Sequence, residues 1–313
     1  MQLGAPCPAQ AQGFLGASTG AASRGRTRPK AAILRPMAAR PQPSGTSLAA
    51  ASATGVRALL RQRALFVNFF RRELVARYLG SVSGLAWALL HPLALLGVYH
   101  FVFTTVFRAG PMNGTSFLLF VAIALWPWLA AQEALQRGTV SIGGYAALIR
   151  KVAFPHEFVV YASVAATLGL QFAGYLAVLA VLSLVGEPVR FAGLPLAVLL
   201  WVVMGLAITG VALALSSLQV FVRDIEHILL PVLMILMYLT PILYPLSLVP
   251  ERVRPLVAAN PFGYLVGRLR DGLIEGRLAP SWGDAIAGLS ALVLFLGGRW
   301  VFLRLSPYFE DFV

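Results

Sequence analysis

Arg77 and Arg108 bracket thirty consecutive uncharged positions, and comparable charge-free runs lie between Arg108 and Glu133, Glu157 and Glu187, and Arg190 and Arg223. Crossing the hydrocarbon core takes about 20 apolar residues in a helix. Runs of this length therefore constrain the fold more than any other feature. They are rich in Leu, Ala and Val and do not alternate, so they fit helices rather than the short alternating strands of a closed barrel. With 58% hydrophobic and 12% charged residues, the chain suits neither water solubility nor disorder.

The reading is an all-α membrane protein with six transmembrane helices at about 85–107, 117–135, 159–185, 194–220 and 228–247, and between Asp284 and Leu303. Arg299 falls near one end of the last, where its stem can snorkel to the interface. With the amino terminus inside, the inward segments 1–84, 136–158, 221–227 and 299–313 carry 18 basic residues and the outward ones 7. The positive-inside rule then places both termini in the cytoplasm. The net charge of +13 would suit a nucleic-acid binder. Much of it precedes the first span, where it sets topology, and no nucleic acid is expected. Cys7 is the only cysteine, so neither an internal disulfide nor a Cys-based zinc site can form.

Residues 1–55 are rich in Ala, Gly, Ser, Pro and Arg. They read as a disordered or mis-called extension, with Met37 as an alternative start; the composition also resembles a transit peptide. Residues 56–84 carry Leu59, Leu60, Phe66, Phe69, Phe70 and Leu74 at roughly helical spacing among Arg57, Arg61, Arg71, Arg72 and, further on, Arg77 and Tyr78. This is an amphipathic interface helix facing anionic headgroups; a soluble helix packed on the cytoplasmic face is the other reading. The six-helix domain spans 85–305 and a cytoplasmic tail spans 306–313.

Two connections are longer than linkage requires. In 136–158, Gly143 and Gly144 precede a short helical stretch that Pro155 ends. Leu148, Arg150, Lys151, Phe154, His156 and Glu157 give it apolar and charged handles. It is either a docking element for another protein or a plain basic loop. In 241–283, Thr240-Pro-Ile-Leu-Tyr-Pro245 and Asn260-Pro-Phe262 flank apolar pieces too short to cross. These suit outer re-entrant segments or surface helices of an ordinary loop.

The chemistry that would make this chain an enzyme is missing. Lys30 follows Pro29 and Lys151 follows Arg150, so neither is the lysine of G-x-x-x-x-G-K-[ST]. His91, His100, His156 and His227 are dispersed, and no catalytic or metal-ligating set is expected. Arg223, Asp224 and Glu226 at the end of the fourth span read as structural anchors. The aromatics Trp87, Tyr99, Phe103, Trp126, Trp128, Tyr244 and Phe262 fit an interfacial belt or stacking surfaces for sugar rings.

Several segments resemble the ABC-2 type permeases of polysaccharide and polyol-phosphate export. Arg77-Tyr-Leu-Gly-Ser-Val-Ser-Gly-Leu-Ala-Trp87, followed by Pro92, resembles the family's approach to its first span. Leu148-Ile-Arg-Lys-Val-Ala-Phe-Pro-His-Glu157 resembles its first cytoplasmic loop, and Phe221-Val-Arg-Asp-Ile225 its F-x-R-D-I element. The Thr240–Pro245 and Asn260–Phe262 segments match its late outer motifs, in the family's order.

The resemblance implies a homodimer in a bacterial inner membrane, bound to cytoplasmic ABC ATPase subunits. It implies export of a lipid-linked glycan such as an O-antigen, capsule or teichoic-acid precursor. ATP and Mg would then sit on the partner and no cofactor on this chain. Gly144, Leu148, Arg150, Lys151, Phe154, Pro155, His156 and Glu157 become the ATPase-coupling residues, and the seven aromatics from Trp87 to Phe262 become a glycan path. Export of a small hydrophobic drug or lipid, and a membrane-embedded glycan enzyme, are the alternatives.

Overall fold

The structure, a computed structural model, describes residues 63–76, 84–108, 110–111, 114–151 and 154–312. For 84–89, 91–92, 256 and 310–311 it describes the backbone alone. The extension 1–55, Arg77, Tyr78 and the Trp87 side chain lie outside this. The described elements are helices: α1 (Arg63–Ala76), α2 (Gly84–His100), α3 (Phe117–Gly144), α4 (Ala146–Ile149), α5 (Glu157–Leu184), α6 (Leu194–Gln219), α7 (Ile225–Leu239), α8 (Arg254–Ala258), α9 (Pro261–Arg270), α10 (Trp282–Leu305) and α11 (Phe309–Phe312).

Four stretches are long and apolar enough to cross a membrane: Phe117–Gly144, Glu157–Leu184, Phe191–Gln219 and Trp282–Tyr308. The first is the hub. Ser116 caps it, its side chain accepting from the Leu119 N–H at 3.2 Å. The helix is buried on almost every side by α5, α6 and smaller elements. A helix so enclosed needs little polar surface, and its Gln132, Glu133, Gln136 and Arg137 fall on the side left less buried. It runs nine residues past the expected boundary at 135. At about 1.5 Å per residue, its 28 residues reach about 42 Å, beyond the roughly 30 Å of the hydrocarbon core.

Helices α6 and α10 cross where small residues let the backbones meet. A Cβ on Gly298 would fall on the Gly210 carbonyl, and one on Gly210 on the Leu294 carbonyl. Close approach at small residues is how helices associate where lipid is as apolar as the side chains.

The other two expected spans are shorter. Helix α2 continues as a π-helical stretch, Phe101–Val106, where the Thr104 hydroxyl bonds back to the His100 carbonyl at 2.6 Å. The stretch expected at 228–247 is helical only to Leu239. Thr240 is extended, at φ −97° and ψ 135°, because the residue before a proline avoids the helical region; Pro241 follows it. Hydropathy continues past this point while the helix does not.

Beyond it, Asn260 caps α9, which runs on as a π-helical stretch Asp271–Glu275 and closes at Gly276, φ 74°. Helix α1 lies against α5 and buries Phe69.

Candidate functional site

The bundle has two ends. One gathers the connection 145–156, α1, Phe221 and α11; the other gathers Ser116, Glu187, Arg190 and 272–281.

At the first end, Tyr145 terminates α3 and becomes a socket for α1. The Phe69 ring meets it edge-on with centroids 5.3 Å apart, and Phe154 meets Phe69 at 5.4 Å. The Tyr145 hydroxyl donates to Glu73 Oε1 at 2.9 Å, and the Arg72 guanidinium lies 4.7 Å from the ring centre. Burial, then the bond to Glu73, push the Tyr145 hydroxyl well above its ordinary range, against Arg72. It therefore remains a donor at neutral pH. Helix α4 is a single turn that buries Ile149 and leaves Gly144, Arg150 and Lys151 exposed, with Leu148 half-buried. Arg71 and Arg72 are exposed on α1.

Phe154, Pro155 and His156 are half-buried, and the chain then enters α5 at Glu157. Glu157 accepts from Arg299 Nε at 3.0 Å and Nη2 at 3.4 Å, and from the Tyr161 hydroxyl at 3.2 Å. Arg299 does not snorkel: it is 9% exposed and its charge is met inside the protein. The Glu157 carboxylate on the neighbouring helix meets the buried guanidinium with charge-assisted hydrogen bonds. Past α10, Phe309 is fully buried, with its ring against His156, Phe302 and Phe221. Arg223 and Asp224 are exposed; Phe221 is the member of their motif that packs.

At the opposite end the two late motifs meet. Asn260 Nδ2 donates to Thr240 Oγ1 at 2.8 Å while its Oδ1 accepts from the Phe262 N–H at 3.0 Å. Arg270 donates to the carbonyls of Phe120, Pro241 and Ile242 at 3.1, 2.8 and 2.7 Å. It thereby ties α9 to the hub helix and to the turn that ends α7. A cavity of about 160 Å³ adjoins this clamp, lined by Thr115, Phe120, Arg270, Asp271 and Glu275 among others. Arg268 grips both Asp284 oxygens at 2.9 Å, and Asp284 also completes the capping box that starts α10.

The candidate glycan-path aromatics divide. Trp126 and Trp128 are buried in the hub. Trp126 donates its indole N–H to the Gln171 carbonyl at 2.9 Å. Trp128 stands edge-on to Phe262 at 5.0 Å. Phe103 stacks on Phe117 at 4.8 Å. Tyr99 and Tyr244 are half-buried, and Tyr244 donates to the Tyr238 carbonyl at 2.7 Å. The structure thus brings Trp128 and Phe262 together and seats Trp126 in the core.

Residues 64–274 match the ABC-2 type transporter family. The chain belongs to that family. Such a permease is a multi-pass membrane protein and a transporter subunit, in keeping with the four long apolar helices. The O-antigen export system permease protein RfbA of Myxococcus xanthus is 33% identical over 246 residues, 77% of this chain and 91% of the relative. A protein of the same name from Klebsiella pneumoniae is 28% identical over 251 residues, 79% of this chain and 94% of the relative.

Sequence reasoning placed Phe69 on the apolar face of the 56–84 helix but missed Tyr145, Arg270 and Phe309 as structural keys of this ABC-2 permease. Arg270 carried little signal, since it stands beside Asp271 and two residues after Arg268 and reads as one of a charged cluster. Phe309 carried none, since Tyr308, Phe309 and Phe312 beyond the last span form too short a run to show a periodicity.

Proposed function

We propose that this chain is the membrane half of an ATP-driven exporter that moves a lipid-linked, O-antigen-like polysaccharide out of the cytoplasm across a bacterial inner membrane. The observation that carries this is the likeness to O-antigen export permeases along more than three quarters of the chain. The packed junction of α1 with 145–157 supports it, since an exporter that does not hydrolyse ATP itself needs a firm surface to receive force.

In this reading α2 with its π-helical continuation, and α7, complete a six-span subunit, and two copies form the pathway. Both termini are cytoplasmic, α1 lies at the cytoplasmic interface, and 241–283 is re-entrant at the outer face. A separate ABC ATPase holds ATP and Mg. It presses on the exposed surface of Gly144, Arg150 and Lys151 and on α1, and Tyr145 and Phe154 carry that displacement inward. Different contacts in the two nucleotide states supply the driving difference. Trp128 and Phe262, edge to face where the hub meets α9, form the stretch of the path nearest the outer gate; Trp87, Tyr99, Phe103 and Tyr244 stand for the remainder.

The test is reconstitution with the cognate ATPase in vesicles containing lipid-linked O-antigen. Phe154→Asp places a charge against Phe69 and is expected to abolish glycan export per ATP hydrolysed while the permease still inserts. ATPase stimulation by small amphiphiles but not by the glycan lipid would replace this reading with drug or lipid export. Glycan turnover without the ATPase would replace it with an enzyme.

A further inference from the structure

Two consecutive residues at the end of the coupling loop are each held by elements far along the chain. The His156 ring stacks on Phe309, with centroids 6.0 Å apart and 27° between planes. Glu157 takes both nitrogens of the Arg299 fork. Phe309 is fully buried and also packs on Phe302 at 5.4 Å, within reach of Phe221 at 6.3 Å. Phe312 packs on Phe221 at 4.9 Å. A pocket of about 280 Å³, open to solvent, lies between the loop and the end of α10, lined by Phe154, Pro155, His156, Glu157, Phe302 and Leu303 among others. A gap transmits little force, because atoms that face a void have no partner across it to push or pull. The ring stack and the ion pair are therefore two firm contacts through which the loop can pass motion to α10.

We propose that Arg299 and the 306–312 segment clasp the coupling loop to the end of α10, so that the ATPase stroke is handed to α10 as well as to the helices the loop joins. Arg299 and Phe309 are positioning residues in this scheme: they fix how α10 follows His156 and Glu157. The inference rests on the loop being the ATPase contact. It goes beyond that reading because covalent continuity alone would move only α3 and α5. A two-point guanidinium–carboxylate bond is directional, and a buried ring in a packed socket has few alternative positions; together they make a joint.

The experiment uses the full complex of permease and ATPase in vesicles. It measures lipid-linked glycan exported per ATP hydrolysed and, with spin labels at Trp300 and Arg150, the nucleotide-dependent distance between α10 and the loop. Phe309→Leu lies beyond the last span and keeps an apolar side chain, so it assembles even if Arg299→Gln does not. Each variant is expected to lower export per ATP by about fivefold or more, the lower range of energetic coupling between sites. The pair together should cost less than the product, because they serve one joint. Arg299→Lys, which keeps the charge, should recover part of the loss. The α10 label should follow the loop in the wild type and lag in Phe309→Leu. Wild-type export per ATP and unchanged label distances in an assembled Phe309→Leu complex would overturn the clasp and leave the exporter reading standing. A wild-type complex with no ATP-dependent export would overturn both.

Discussion

Adjacent glycines in α10 should respond oppositely to the same substitution. Gly298 faces α6, where an added Cβ would land on the Gly210 carbonyl, with more Gly210 backbone behind it. Neither atom belongs to a flexible side chain, so the helices must part, by roughly 1.5 Å to restore an ordinary carbon–oxygen contact. Take the crossing to hold only as many atom pairs as one buried leucine, about 50, at about 0.15 kcal/mol each. Opening it by 1 Å forfeits up to half of that, about 4 kcal/mol. Overpacked cores lose about 1–3 kcal/mol and occasionally more, so the two routes agree. Gly297, one residue earlier, is exposed and has nothing within 4 Å of its virtual Cβ. There Gly→Ala gains about 0.5–1 kcal/mol of helix propensity. Thermal unfolding of the detergent-solubilised permease, followed by aggregation and by near-ultraviolet circular dichroism, compares Gly298→Ala and Gly297→Ala directly. Equal midpoints would mean that the α6–α10 crossing does not hold the bundle together, and the packing argument would fail with it.

Two further outcomes concern the ends of the bundle. Asn260→Ala removes both the α9 cap and the bond to Thr240 and should cost roughly 2 kcal/mol, whereas Asn260→Asp keeps the acceptor and should recover about half; indistinguishable unfolding midpoints for the two would refute a dual role. Phe69→Ala empties the socket between Tyr145 and Phe154, a loss of about 3 kcal/mol for a buried phenylalanine. Helix α1 should then detach, seen as faster tryptic cleavage at Arg71 and Arg72 with the remaining fragments unchanged, and an unaltered cleavage rate would show that α1 is held by something else.

The four long helices were legible because burial in lipid and in the hub removes charge from every face, and uninterrupted apolar runs record that directly. Their ends were less legible. By charge alone, Glu133 and Arg137 close the second span, yet they lie one turn apart and pair at 2.8 Å, so the helix carries them through. The opposite error occurred at Thr240, where hydropathy runs on but a proline-constrained backbone does not. The resemblance marked the loop 148–157, and the structure surrounds it with partners that no local pattern announces. Glu157 and Arg299 stand 142 residues apart, and their pairing is a fact of tertiary arrangement. Trp126 illustrates the converse: an aromatic on an apolar helix looks alike whether it lines a path or fills a core, and only the Gln171 carbonyl at its indole tells them apart.

Helix α10 explains why charges persist in so apolar a chain. Its outward surface is a run of exposed Ile286, Leu289, Val293 and Leu296, and such a surface tolerates sliding and rotation, since one apolar residue replaces another at little cost. Two ion pairs remove that freedom. Asp284 is held by Arg268 at one end and Arg299 holds Glu157 at the other, separated by about 22 Å of helix at 1.5 Å per residue. A one-residue slip would rotate the helix by about 100° and strand both charges in a medium where an unpaired ion costs several kcal/mol. Replacing either pair with well-packed apolar residues is often neutral or even stabilising, so stability alone does not account for them. What the pairs supply is register: they place the Gly210–Gly298 crossing, α9 and the start of α5 at fixed heights along one helix. Movement at one end of α10 is then movement of the whole rod.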